Sequence, residues 1–295
     1  MIPGFTMVGM KRVSSRHNPT IKHLRALHKA KQRVAGTQGH EFIVEGVREA
    51  SRVLERPLHP LWPSVQAHTV LFSETRWPAL VASGDADAIQ LQAALPHDME
   101  QLLVPDDLLR LVSVRQNPAP AVVHASAQLA QCTPAVLGAA SIVLILDGLE
   151  KPGNVGALLR SATAAGVDLV VLSHDSEGHA DPFNPHTIRA STGTVFRAPL
   201  ATVRRDQLQQ HLAHSGHQVV LTTPHTEVLH SHVNWNVPSA IVLGSEAHGA
   251  HETWFAPAIN AVNVRIPMAP HGPDSLNVSV AGALVLYEAV RNRLL

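Results

Sequence analysis

The sequence predicts an α/β protein in two parts: a C-terminal, mostly parallel sheet preceded by a smaller N-terminal α/β domain. Three observations predict it. The run Ile142-Val143-Leu144-Ile145-Leu146 is continuously apolar, as in a strand covered on both faces of a parallel sheet. Helical stretches alternate with further short apolar runs from there to a closing helix. The first hundred or so residues alternate shorter strands and helices with a different charge balance.

In chain order, Asn18-Pro19-Thr20 opens a helix whose stripe is Ile21, Leu24, Leu27 and Val34, and Gly36 to Gly39 end it. Glu41 to Gly46 reads as a strand, Val47 to Leu54 as a helix, Thr69 to Phe72 as a strand, and Ala88 to Leu91 as a weaker strand. Pro105-Asp106-Asp107 starts a helix through Leu111, with acids at its positive dipole end. Val122-Val123-His124 closes a front domain over residues 1–124. Residues 125–140, rich in Ala, Gln and Ser, read as a linker. In the second domain, 141–295, Asn154 to Ala165 is a helix stopped by Gly166, and Leu169 to Leu172 is a strand. Thr187 to Ala190 and Gln207 to His214 are helical. Strands follow at Gln218–Leu221, Ala240–Leu243 and Ala261–Ile266, then a helix from Ser275.

Composition bounds the function. A hydrophobic content of 45% with 16% charged residues is that of a globular chain. The single Cys132 excludes an internal disulfide and suits a reducing compartment, and no apolar run reaches membrane-span length. The apolar start precedes its charges Lys11 and Arg12, the reverse of a secretory signal, so a cytoplasmic location is expected. The net charge is zero, yet residues 11–56 hold eleven Lys/Arg against four Glu, while the rest holds 12 against 19. Such asymmetry fits a phosphate-binding arm, or a solvated helix face. The twenty His are scattered without zinc-type spacing, so no metal is expected.

In parallel sheets ligands bind at the carboxyl edge of the strands. Four strands end in Gly148 to Gly153, Thr222-Thr223-Pro224, Gly244-Ser245-Glu246 and Pro267-Met268, so these loops are expected to meet. Pro152-Gly153-Asn154-Val155-Gly156 invites a dinucleotide reading, but the glycine spacing is wrong and no acid follows the second strand. Glu246, in a tight turn, either braces that turn or supports catalysis. Arg160 is either a surface arginine or a functional one on an otherwise apolar helix. Ser275 or Asp274 is the expected N-cap of the last helix. The small Ser279, Ala281, Gly282 and Ala283 suggest that another backbone packs closely there.

Three pieces in order carry a resemblance: Asn154-x-Gly156-x-x-x-Arg160, then Gly244-Ser245-Glu246-x-x-Gly249, then Ile266-Pro267-Met268 with Ser275-Leu276-Asn277-Val278-Ser279. Asn184-Pro185, Arg189-Ala190-Ser191 and Gly193 fit the segment between the first two. Together they resemble the SpoU (TrmH-type) RNA ribose 2′-O-methyltransferases of the SPOUT class. The front part, through Phe42-x-x-Glu45-Gly46-x-Arg48, is similar to the ribosomal-protein-like RNA-binding domain many of these enzymes carry.

The resemblance implies a trefoil-knotted C-terminal domain, a homodimer formed through it, and S-adenosylmethionine bound in the knot. Gly244, Ile266 and Leu276 would hold the adenosine through backbone groups, with Thr222 and Met268 alongside. Arg160, Asn154, Glu246, Ser275 and Asn277 would surround the ribose 2′-hydroxyl of structured RNA. Lys22, Arg25, Lys29, Arg48 and Arg189 are the candidates to grip the RNA. Large-subunit ribosomal RNA is the expected substrate; tRNA, or a non-catalytic ribosome-assembly role, are the alternatives. Two departures from the family pattern stand out: Ala247 replaces a turn glycine, and Asn117-Pro118-Ala119-Pro120 replaces Pro-Gln-Gly.

Overall fold

The computed structural model describes residues 10–29, 40–175, 181–256, 259 and 261–294. Strands β1 (Lys11–Arg12), β2 (His40–Glu45), β3 (Ser64–Ser73), β4 (Glu100–Val104) and β5 (Ala121–Gln128) form a mixed sheet in the order β1-β4-β3-β5-β2. Helix α1 (Pro19–Lys29) lays the fully buried Ile21 and Leu24 on one face, against Leu71, Leu102 and Val122. Helices α2 (Val47–Val53), α3 (Arg76–Ala82) and α4 (Ala86–Ala94) supply the other face, where Phe42, Phe72, Trp77 and Leu91 are buried. The acidic start predicted at Pro105 opens α5 (Asp106–Val112).

Two expectations change here. The strand expected at Ala88–Leu91 is helix α4: Asp85 accepts the Ala88 N–H as its N-cap, and Ala88 and Leu91 bury one helical face. The linker expected over 125–140 is instead regular structure. β5 runs on to Gln128, β6 (Ala130–Gln131) follows, and Thr133 caps α6 (Pro134–Gly138). The small side chains that looked like loop composition are there to be buried, Ala125 at 0% and Ala127 at 3% exposure. The two halves also share packing. Phe42 stacks on Phe183 at 4.9 Å between centroids, Arg52 donates to the Thr192 carbonyl, and Arg197 pairs with Glu55.

The second sheet contains β7 (Ile142–Asp147), β8 (Leu169–His174), β9 (Leu200–Arg204), β10 (Gln218–Thr222), β11 (Ser239–Leu243) and β12 (Ala261–Val264). Its order is β12-β10-β11-β7-β8-β9-β6, and every pairing is parallel. The short β9, which the sequence reading passed over, carries the edge strand β6. Between the strands lie α7 (Pro152–Ala165), α8 (Pro185–Ala190) and α9 (Arg205–Ser215), and α10 (Val278–Leu294) closes the chain. From β7 the chain steps outward through β8 to β9, then crosses to β10 and places β11 against β7. The direction of winding therefore reverses between β7 and β11, which is where a sheet of this kind opens a ligand crevice.

Candidate active site

Because every strand is parallel, the four loops expected to meet do lie along one edge, in the order of β12, β10, β11 and β7. The loops after β7 and β11 touch at the reversal. Glu246 accepts the backbone N–H groups of Glu150 and Lys151 at 3.3 Å each and the Asn154 side-chain amide at 2.7 Å. An ionised carboxylate can only accept, so Asn154 must turn its NH₂ toward Glu246. Its carbonyl oxygen then faces the Asn277 amide, which donates at 3.1 Å. Asn277 in turn accepts the backbone N–H of Ser279 at 2.8 Å and its hydroxyl at 2.6 Å. One directional chain of hydrogen bonds thus runs Ser279–Asn277–Asn154–Glu246 and joins the three motif segments.

This corrects the expected start of the last helix. α10 begins at Val278, and Asn277 is its N-cap, so neither Ser275 nor Asp274 caps it. Ser275 is exposed in the preceding turn and, among the described residues, has no hydrogen-bond partner. Burial by itself raises the Glu246 carboxyl, but the bonds from Asn154 and from the Glu150 and Lys151 backbone outweigh it and hold the group below its usual range. A carboxylate so held is a poor proton acceptor near neutral pH. Its geometry is that of a brace.

Two glycines explain why the loops can approach. A Cβ on Gly244 would lie 2.1 Å from the Gly249 carbonyl, because the turn folds back on itself through the Ser245–Gly249 bridge. A Cβ on Gly156 would meet the Thr187 carbonyl at 2.5 Å and the Ala190 Cβ at 2.7 Å, where α7 and α8 cross. The small residues of α10 serve the same end: a Cβ on Gly282 would meet Leu158 and Leu243 at 2.5 Å.

Thr222, Gly244 and Ile266 stand at or just past the ends of the neighbouring strands β10, β11 and β12, and Leu276 is half-buried at the mouth of α10. Met268 is 36% exposed on the loop between them. Arg160 projects from α7 into solvent and, among the described residues, has no ion-pair or hydrogen-bond partner. Of the RNA candidates, Lys22 and Arg25 are exposed and unpaired among the described residues, and Arg189 is exposed on the last turn of α8. Arg48 is exposed but bound to Asp87 at 3.1 Å, an ion pair weak enough to exchange for phosphate. Lys29 ends α1, and its side chain lies outside the described residues.

The sequence reading missed the support beneath the crevice. Asp147, 2% exposed at the end of β7, accepts from Arg205 at 2.9 Å, Ser173 at 2.8 Å and the Trp254 indole at 2.8 Å. Arg205 also reaches Asp175 at 3.0 Å. An acid ending an apolar strand was the available signal. The buried Cys132, its thiol pushed up to about 11 by burial, offers no reactive thiolate.

Fold and site together define a class: a parallel α/β protein whose strand-end loops meet at a switch point, with an added front domain. The model of the SpoU rRNA Methylase family matches residues 141–287, and that of an MRM3-like substrate binding domain matches residues 18–123. A crystal structure of an RNA 2′-O ribose methyltransferase superposes with a TM-score of 0.72 at 35% identity, covering 97% of this chain and 100% of that one. An AdoMet-bound rRNA methyltransferase from Sinorhizobium meliloti gives 0.73 at 26% identity, covering 97% and 99%. A 23S rRNA (guanosine(2553)-2′-O)-methyltransferase of Bacillus subtilis is 26% identical over 280 residues, 94% of this chain and 98% of that protein. The chain belongs to the SpoU rRNA methylase family.

Proposed function

We propose that the protein methylates a ribose 2′-hydroxyl of large-subunit ribosomal RNA, with S-adenosylmethionine as donor. The observation that carries this reading is the bonded chain Glu246–Asn154–Asn277, which draws the loop after β11, the start of α7 and the mouth of α10 together; Arg160, exposed and unpaired among the described residues, lies further along α7. The strand-end positions of Thr222, Gly244 and Ile266, with Leu276 and Met268 across from them, suit an adenosine held by backbone groups. Gly244, where no Cβ fits, leaves the main chain bare for such contact. When bound, the cofactor supplies an electrophilic methyl group.

The protein's part is to orient a poor nucleophile and ease the loss of its proton. A guanidinium holds its protons too tightly to serve as a base. Arg160 instead clamps the neighbouring phosphate, whose oxygen takes up the hydroxyl proton as the new O–CH₃ bond forms. Asn154 and Asn277 keep the rim rigid, and the exposed Ser275 is free to bond the ribose. Lys22, Arg25, Lys29, Arg48 and Arg189 supply sequence-independent phosphate contacts, with salt-dependent affinity.

The C-terminal half is a trefoil knot in this reading, and two copies pair through it. Val280, Leu284 and Tyr287, each more than 40% exposed, line one face of α10 at helical spacing, as a dimer seam requires. Among the described residues no helix is long and apolar enough to cross a membrane, and a cytoplasmic location, where ribosomal RNA is found, fits the reading. The test incubates ribosomal RNA with enzyme and labelled S-adenosylmethionine and maps nucleotides that become resistant to alkali, which needs a free 2′-hydroxyl. Label on a base, or binding of NAD but not S-adenosylmethionine by calorimetry, would overturn the proposal.

A further inference from the structure

Away from this crevice, the front sheet gathers three metal-ligating side chains that no sequence spacing could have joined. In the β2–β5 register Glu41 lies opposite Ser126 and Ile43 opposite His124, so Glu41 and His124 are diagonal neighbours on one face. Helix α1 lowers His23 onto the same spot. His23 Nε2 is 2.6 Å from Glu41 Oε2, and His124 Nε2 is 3.6 Å from that same oxygen. All three potential ligand atoms lie within 4.8 Å of one another.

A hydrogen-bonded trio would explain His23 and Glu41 but not His124. That ring is 7% exposed, and its Nε2 is buried with no hydrogen-bond partner. Buried polar nitrogens left without a partner are rare in folded proteins. Ligands of a tetrahedral ion with bonds of about 2.0–2.2 Å stand roughly 3.3–3.6 Å apart, and the separations here, from 2.6 Å to at most 4.8 Å, bracket that spacing. We propose that His23, Glu41 and His124 form a zinc-type divalent metal site that fastens α1 to the front sheet.

Two imidazoles and a carboxylate are a borderline donor set, suited to zinc and its transition-metal neighbours rather than to magnesium or calcium. His23 and Glu41 are both half-exposed, so solvent reaches the cluster and water would complete the ligand set. His68, bonded through Nε2 to Ser126, packs its ring against His124 at 4.9 Å between centroids. Since α1 also carries Lys22 and Arg25, the metal would set the angle at which the basic helix meets a phosphate backbone. None of this depends on the methyltransferase reading.

The full-length protein is freed of metal by chelation and dialysis, then titrated with Zn²⁺ by calorimetry and with Co²⁺ by visible absorption. One site per chain is expected, with the intense visible bands of four-coordinate cobalt and a rise in Tm on adding Zn²⁺. His23→Gln and Glu41→Gln, both at half-exposed side chains, should each weaken binding at least ~10–100-fold. Both should abolish the Zn²⁺-dependent rise in Tm and leave the metal-free circular dichroism unchanged. Absence of stoichiometric binding, or equal affinity in wild type and both variants, would overturn the site and assign any metal uptake to other histidines.

Discussion

The two sheets end in carboxylates that look alike in sequence and differ in their surroundings. Glu45 closes β2 of the front sheet, is 5% exposed, and gathers the Ser113 hydroxyl with the backbone N–H groups of Val114 and Ala119 at 3.1 and 3.0 Å. Those bonds, with the Arg115 ion pair at 3.9 Å, face inward and pin the loop 113–119, including the departure at Pro118-Ala119-Pro120. Glu246 also pins a distant loop, but its bonds continue through Asn154 to Asn277 at the exposed mouth of α10. The arginines repeat the contrast. Arg205 is fully engaged by Asp147 and Asp175, whereas Arg160 projects unpaired among the described residues. Polar groups that satisfy one another hold the fold, and those left open at a rim are available to a substrate.

The sharpest test of this contrast is to remove each arginine. Arg205→Ala leaves Asp147 buried without its counter-charge and should destabilise the fold by about 3–5 kcal/mol, read from denaturant midpoints. Arg160→Ala should leave Tm unchanged while turnover falls about 10²–10³-fold, the loss typical of one electrostatic donor. Arg160→Lys separates two versions of that role: if most turnover survived, a two-pronged clamp would be the wrong picture.

Next in size comes a pair of glycines on one helix. Gly156→Ala drives a methyl into the α8 backbone and should cost about 1–3 kcal/mol. Gly153→Ala meets nothing within 4 Å and should leave stability unchanged or raise it by about 0.5–1 kcal/mol. Thermal melts of the two variants side by side check both. The smallest effect concerns acid. The Glu246 carboxyl sits below its ordinary value of 4.5 when folded, so its stabilising bonds are complete above that pH and are lost as pH falls through the lower folded value. Glu246→Gln should therefore lie below wild type in Tm at pH 6, and the gap should narrow toward pH 3. A constant gap would mean that charge plays no part in the brace.

Much of the site was legible because its pieces are local. An apolar strand, a glycine turn with a carboxylate and a capped helix mouth each announce themselves within a few residues, and parallel topology then places strand ends on one edge. Ala88–Leu91 was expected as a strand because four residues, three of them apolar, are too few to show a period, and the cap at Asp85 decides for helix. The alanines of 125–128 were read as linker because a small residue buried in a sheet and one exposed in a loop look the same in sequence.

The α/β class, the parallel second sheet and the family were legible in the chain alone, since apolar runs and motif order are properties of adjacent residues. Which polar groups are satisfied depends instead on segments distant in the chain. Asn277 rather than Ser275 caps α10, Asp147 at the end of β7 gathers Arg205, Ser173 and Trp254, and His23, Glu41 and His124 meet although they are far apart in the chain. Burial and hydrogen-bond partners are set by segments brought together across the fold, and no local pattern encodes them.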